Sequence, residues 1–162
     1  MGLSIAFWVL AVLAVAAALA VVTLRNVFHA ALSLILLFLT VAGIYVTLSA
    51  DFLAAAQVLI YVGAIAVLLI LAIMLTHEVK QGSVSNRLVI PSAFIAVIFL
   101  GVVSYALVNT PWQVSAQPPL EPTTAALALS LFSENGFILP VEIAAILLLA
   151  AVLGAIVITR EK

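Results

Sequence analysis

Five long apolar runs separated by short polar breaks organise this chain: roughly Leu3 to Thr23, Val27 to Ser49, Phe52 to Leu75, Leu88 to Val108, and Phe137 to Thr159. A helix needs about 20 mostly apolar residues to cross the hydrocarbon core of a bilayer, and each run reaches that length. Within the runs the apolar residues fall on all sides of a helix rather than on one stripe, as expected of helices surrounded by lipid and by one another. The pattern predicts an all-α polytopic membrane protein, a single membrane domain over residues 1–162 with five transmembrane spans. The first run lacks the basic leading segment and the cleavage context of a secretory signal, so it reads as a retained helix. The third run is rich in small residues. Ala54, Ala55, Ala56, Gly63, Ala64 and Ala66 would let neighbouring backbones approach closely, which is how helices pack within membranes.

Composition turns this pattern into a requirement. Of 162 residues, 68% are hydrophobic and 7% charged, against roughly 45–50% and about 25% in soluble domains. A monomer with so little polar surface could not cover its own apolar area in water. The formal charge of −1, with no basic cluster, gives nothing to neutralise phosphates, so nucleic acid is excluded as a partner. The absence of cysteine excludes disulfides, thiol chemistry and cysteine-ligated iron–sulfur clusters in this chain.

The few charges also orient the chain. Arg25 lies between the first and second spans, Lys80 and Arg87 between the third and fourth, and Arg160 and Lys162 after the fifth. With five spans all of these share one side, which the positive-inside rule assigns to the cytoplasm. The amino terminus is then expected outside and the carboxyl terminus inside. The long connection from Asn109 to Gly136 also falls outside. Pro111, Pro118, Pro119 and Pro122 keep its first half extended. Thr123 or Thr124 is expected to cap a short helix through Phe132, with Asn135 and Gly136 as stop signals. Leu127, Ala128, Leu131 and Phe132 would form its apolar face on the membrane surface or on a neighbouring subunit. No internal repeat is visible, which argues against a self-contained transporter built from two halves.

Glu142 alone among the eleven charged residues falls inside a span. It lies six residues past Gly136, about 9 Å along a helix. Two readings stand: a carboxylate stabilised by the positive amino-terminal end of the helix, or a proton-exchanging, water-ordering group facing the bundle interior. Pro140, two residues earlier, is tolerated because first-turn amides lack intrahelical partners. In the third span Gln57 and Tyr61 share one face at i, i+4, offering an amide and a phenol for hydrogen bonds across helices or to water. Gly63 follows at mid-membrane, where it serves either close packing or local deformation such as a π-bulge. Asp51 precedes the third span as an amino-terminal cap or first-turn anion, with a proton-exit role as the alternative. His29 and His77 sit at span ends beside polar residues, a poor arrangement for bis-histidine haem ligation. Tyr45, Trp8 and Trp112 read as packing or interface anchors. No nucleophile–base pair, metal-ligand cluster, phosphate loop or dinucleotide fingerprint is present, so the chain is expected to work as part of something larger.

The run Asp51-Phe-Leu-Ala-Ala-Ala-Gln57-Val-Leu-Ile-Tyr61-Val-Gly63-Ala-Ile-Ala-Val67-Leu-Leu-Ile-Leu-Ala-Ile-Met74-Leu resembles the J subunit of proton-pumping NADH:quinone oxidoreductase, respiratory complex I. That family includes mitochondrial NADH dehydrogenase subunit 6 and the G subunit of the photosynthetic NDH complex. Thr23-Leu-Arg25-Asn26-Val-Phe-His29-Ala-Ala-Leu is similar to the bacterial junction of the first two spans, and Phe137-Ile-Leu-Pro140-Val-Glu142 to the start of the last span in photosynthetic relatives. Ala66 and Leu69 depart from the larger or polar side chain and the Phe that relatives often carry there.

The resemblance implies a protein without a redox centre, one of the membrane-arm subunits of complex I. It would lie between the subunit that forms the quinone site and the antiporter-like subunits, beside two small membrane subunits. NADH, FMN, iron–sulfur clusters and quinone would be bound by other members of the complex. The resemblance also implies that Tyr61, Val62, Gly63, Ala64 and Val67 form a segment switching between a regular and a π-bulged helix, coupling quinone reduction to a water path for protons. Gln57, Tyr61, Glu142 and Asp51 are the candidates for that path. The implied location is the bacterial cytoplasmic membrane, with the thylakoid membrane as the alternative. A homologous subunit of a multisubunit cation/proton antiporter or membrane-bound hydrogenase is the competing expectation.

Overall fold

The computed structural model describes residues 2–76, 88–112, 123–133 and 136–160. Among these the regular elements are all helical: α1 (Gly2–Thr23), α2 (Val27–Thr47), α3 (Asp51–Leu75), α4 (Val89–Asn109), α5 (Thr123–Phe132) and α6 (Ile138–Thr159). Five of the six are long and apolar enough to cross a membrane, and α5 is the short exception. The five spans match the five apolar runs, with ends moved by one or two residues.

Local chemistry sets those ends. Asn26 caps α2, its side-chain oxygen accepting from the Phe28 amide at 3.0 Å, which satisfies one of the amides a helix start leaves free. The far end of α2 stops at Thr47, two residues short of the expected Ser49, because Ser49 takes a left-handed conformation with φ of 58°. The Ser49 amide then bonds the Val46 carbonyl and the Ala50 amide the Tyr45 carbonyl. These are the two bonds of a Schellman cap, completed by serine where glycine is usual. Pro91 and Pro140 each occupy the third position of a span, where a missing amide costs no intrahelical bond. Hydroxyls inside the spans turn back on their own helix, as Thr40 does to the Leu37 carbonyl at 2.7 Å and Thr159 to the Ala155 carbonyl at 2.9 Å. That satisfies them where water is absent.

α1, α2 and α3 form the packed part of the molecule, with α2 in the middle touching both neighbours. The buried apolar residues are all alanines: Ala17, Ala31, Ala42, Ala54 and Ala66. In lipid there is no hydrophobic gain in exchanging tails for leucine, so the helices meet through small residues that let backbones approach. Gly43 shows how close the approach is. A Cβ there would lie 3.0 and 3.1 Å from the two δ-carbons of Leu10, so α1 rests a leucine against bare α2 backbone.

The rest of the chain is arranged differently. Among the described residues α4 touches no other helix, and α6 touches only α5. Neither span buries a residue. Trp112 closes the end of α4, its indole N–H donating to the Leu107 carbonyl at 2.8 Å.

α5 lies against the first turns of α3 and against α6. Its inward face corrects the sequence expectation. Thr123, Ala126, Leu127 and Leu131 are the partly buried positions, whereas Ala128 and Phe132 are exposed. Thr123 is already helical, and its hydroxyl is buried without a hydrogen-bond partner, so it caps nothing. Thr124 follows it inside the first turn. Pro118, Pro119, Pro122 and Asn135 lie outside the described residues.

Candidate functional site

α3 starts directly after the Ser49 turn. Asp51 is its first residue and exposed. The capping position belongs to Ala50, which supplies no side-chain bond, so Asp51 acts as a first-turn anion facing the positive end of the helix dipole. From Asp51 to Ala56 the helix is regular.

From Gln57 to Ala66, ten residues, it is a π-helix. The α form resumes over Val67–Leu75, and the Thr76 hydroxyl closes the end on the Ala72 carbonyl at 2.8 Å. Backbone angles at the junctions stay in the ordinary right-handed region, φ −61° and ψ −41° at Ala56 and φ −65° and ψ −45° at Val67. The helix therefore changes hydrogen-bond register without a break. Most π segments are single-turn bulges inside α-helices, and this one is longer. It contains Tyr61, Val62, Gly63 and Ala64 and leaves Val67 just beyond it, as the first residue of restored α-helix.

The buried residues of α3 are Ala54, Gln57 and Ala66, in a helix that forms a seam with α2 along all three of its parts. Tyr61 belongs to the same seam, its ring meeting Phe38 of α2 edge-on at 5.4 Å between centroids. Such an aromatic pair contributes about 0.5–1.5 kcal/mol beyond area burial. Phe38 is not legible as a site residue from sequence, because one Phe among many apolar residues of the second span carries no distinguishing signal.

Gln57 is only 8% exposed, and among the described residues its amide has no hydrogen-bond partner. The Tyr61 hydroxyl, on a side chain 44% exposed, likewise has none among the described residues. The polar side-chain atoms of Gln57 are not among the buried unsatisfied ones, so water or a neighbouring polar group can reach this pair.

Gly63 sits within the register change. A Cβ added there would meet only the Val58 carbonyl oxygen, at 3.4 Å. A methyl group fits at that distance, whereas a branched side chain would crowd the carbonyl of the preceding turn.

The structure thus gathers Gln57, Tyr61 and Gly63 on one segment and leaves the other candidates apart. Glu142 is the fifth residue of α6, exposed, with no ion-pair partner among the described residues. Among the described residues α6 packs only against α5, so no other span of this chain lies beside Glu142. His29 is exposed in the first turn of α2, edge-on to Phe28, and His77 lies outside the described residues. Trp8 is exposed on α1 and Tyr45 half-buried on α2.

Residues 17–158 match the family described as NADH-ubiquinone/plastoquinone oxidoreductase chain 6. The chain belongs to this family. Chain 6 of the NAD(P)H-quinone oxidoreductase of Leptolyngbya boryana is 40% identical over 161 residues, covering 98% of this chain and 80% of the relative. The corresponding protein of Synechocystis sp. is also 40% identical, with 97% and 80% covered. Subunit J of the F(420)H(2) dehydrogenase of Methanosarcina mazei is 37% identical over 163 residues, covering 96% of this chain and 90% of that subunit. As a chain 6 protein with five spans, this chain is a membrane subunit of a multisubunit quinone oxidoreductase, and its partners are the other subunits of that complex.

Proposed function

We propose that this chain is a coupling subunit of a proton-translocating NADH:quinone oxidoreductase, without an active site of its own, and that α3 transmits reduction at a neighbouring subunit to proton movement by changing its hydrogen-bond register. The observation that carries this reading is the π register over Gln57–Ala66 in a span whose neighbours in the same bundle are regular α-helices. Two registers of one helix differ by small energies and rotate one end against the other, which makes such a segment a two-state element that a distant event can bias. Gln57 and Tyr61, whose polar groups have no hydrogen-bond partner among the described residues, gate water at the segment. Asp51 and Glu142 contribute charge near the outer end of the path.

NADH, FMN, iron–sulfur clusters and quinone belong to other subunits, and the absence of cysteine here fits that division. The resemblance supplies the neighbours: the subunit that forms the quinone site, two small membrane subunits and an antiporter-like subunit. Among the described residues α4 touches no other helix and α6 touches only α5, which leaves both spans surface to offer them. The orientation follows the positive side of the chain, with the amino terminus outside and the carboxyl terminus in the cytoplasm of a bacterial membrane or facing the equivalent side of a thylakoid.

The M. mazei relative is a subunit of an F(420)H(2) dehydrogenase, which favours a second reading for the electron donor, a reduced deazaflavin in place of NADH. Donor oxidation by membranes supplied with each in turn separates the two.

The test of the coupling role is Gly63→Val in the assembled complex. The rate of quinone reduction and of the proton translocation coupled to it is expected to fall about tenfold, the effect of roughly 1.4 kcal/mol on the register change. Unchanged translocation and unchanged quinone reduction would overturn the proposal.

A further inference from the structure

α5 occupies a position that the coupling role does not use. It packs on the Asp51–Ala56 turns of α3, immediately before the π segment, and on α6, which carries Glu142. Among the described residues it is the only element that touches both α3 and α6. Its inward residues, Thr123, Ala126, Leu127 and Leu131, recur at the i, i+3, i+4, i+8 spacing of one helix face.

The join between α5 and α6 is tight. The Phe137 amide bonds the Ser130 carbonyl at 3.0 Å and the Gly136 amide the Ser133 carbonyl at 2.8 Å. A Cβ on Gly136 would fall 2.5 Å from the Ser130 carbonyl oxygen and 2.9 Å from the Ser133 hydroxyl, so only glycine fits this elbow.

The two ends of α3 are held unequally. Asp51–Ala56 buries Ala54 and is touched by both α2 and α5, whereas Val67–Leu75 buries no residue and is touched by α2 alone, with Gln57 and Ala66 buried at the two ends of the π segment between them. A helix that gains or loses one residue of register turns one end against the other by about 100°. The end that turns is the one held less firmly.

We propose that α5 is an anchor: clamped between α3 and α6 and locked by the Gly136 elbow, it holds the Asp51 end of α3 in place relative to Glu142, so that a register change in the π segment is expressed as movement of Val67–Leu75. The anchor rests on the proposed register change for its consequence but not for its existence, and the two fail separately.

The experiment is residue-resolved amide hydrogen exchange on the intact complex, wild type and Gly136→Ala. In the variant, exchange over residues 51–56 is expected to rise about fivefold or more, as local loss of packing of this order allows, with quinone reduction retained. In the wild type, the difference between resting and turning-over complex is expected in residues 67–75 and not in 51–56. If Gly136→Ala blocks assembly, Leu127→Ala, which trims the inward face of α5 while leaving the elbow intact, takes its place with the same expectation. Exchange over 51–56 that is unmoved in the variant, or that changes on turnover as much as 67–75, overturns the anchor. No turnover difference anywhere in α3, together with faster exchange over 51–56 in the variant, keeps the anchor and overturns the register change instead.

Discussion

Two glycines on adjacent spans show two uses of a missing side chain. Gly43 faces α1 with Leu10 at 3.0 Å, and the helix around it is regular. A Cβ on Gly63 would meet only the Val58 carbonyl oxygen of its own helix, and the helix around it is π. The first glycine makes room for a neighbour. The second, on the proposed register change, leaves room for its own backbone to choose between two acceptors. A mid-span glycine therefore says little until it is known whether another helix fills the space above it.

Substitutions that fill each space break or sharpen this contrast. Gly43→Val is expected to have the largest effect on stability, about 1–3 kcal/mol from overpacking against Leu10, read as loss of the protein from the purified complex. Gly63→Ala, by contrast, is expected to leave assembly intact, since its methyl meets the Val58 oxygen at ordinary contact. Its better helix propensity, up to about 1 kcal/mol, should shift the balance of registers and slow turnover severalfold, measurable as quinone reduction at saturating donor. If Gly43→Val assembles normally while Gly63→Ala does not, the roles assigned to the two glycines are reversed.

Tyr61→Phe keeps the ring against Phe38 and removes the hydroxyl. It is expected to reduce proton translocation per quinone with assembly unchanged, whereas loss of assembly would mark Tyr61 as a packing residue. Ser49→Gly is the smallest change. Relieving a left-handed non-glycine residue, worth about 1 kcal/mol, should raise the thermal stability of the complex slightly without touching activity.

Much of this architecture is legible from hydropathy. The five spans follow because an apolar run of about 20 residues has one stable home, and Asn26 and the prolines mark their starts through ordinary capping chemistry. The turn at Ser49 is not legible, because serine gives no warning of a left-handed conformation that glycine would signal. The inward face of α5 departs from its hydrophobic pattern for a related reason. Leu127 and Leu131 turn inward as their spacing predicts, but large Phe132 stays exposed at 63% while small Ala126 and polar Thr123 face the bundle, since closeness to α3 selects size rather than hydrophobicity.

At the site, the residues of the third span stand out by type: an amide, a phenol and a glycine in an apolar run. The ten-residue extent of the π register does not, because α and π helices draw on the same residues and differ only in which carbonyl each amide selects. Glu142 stands out for its charge, and the structure sets it on a helix apart from Gln57 and Tyr61.

The proposed exchange of registers in α3 is read most plainly from its backbone hydrogen bonds in the intact complex. Structures of the complex at rest and during turnover, resolved well enough to trace main-chain amides, should show the Gly63 amide directed at the Val58 carbonyl in one state and at the Leu59 carbonyl in the other. The same acceptor in both states, in complexes that pump protons normally, would rule the exchange out.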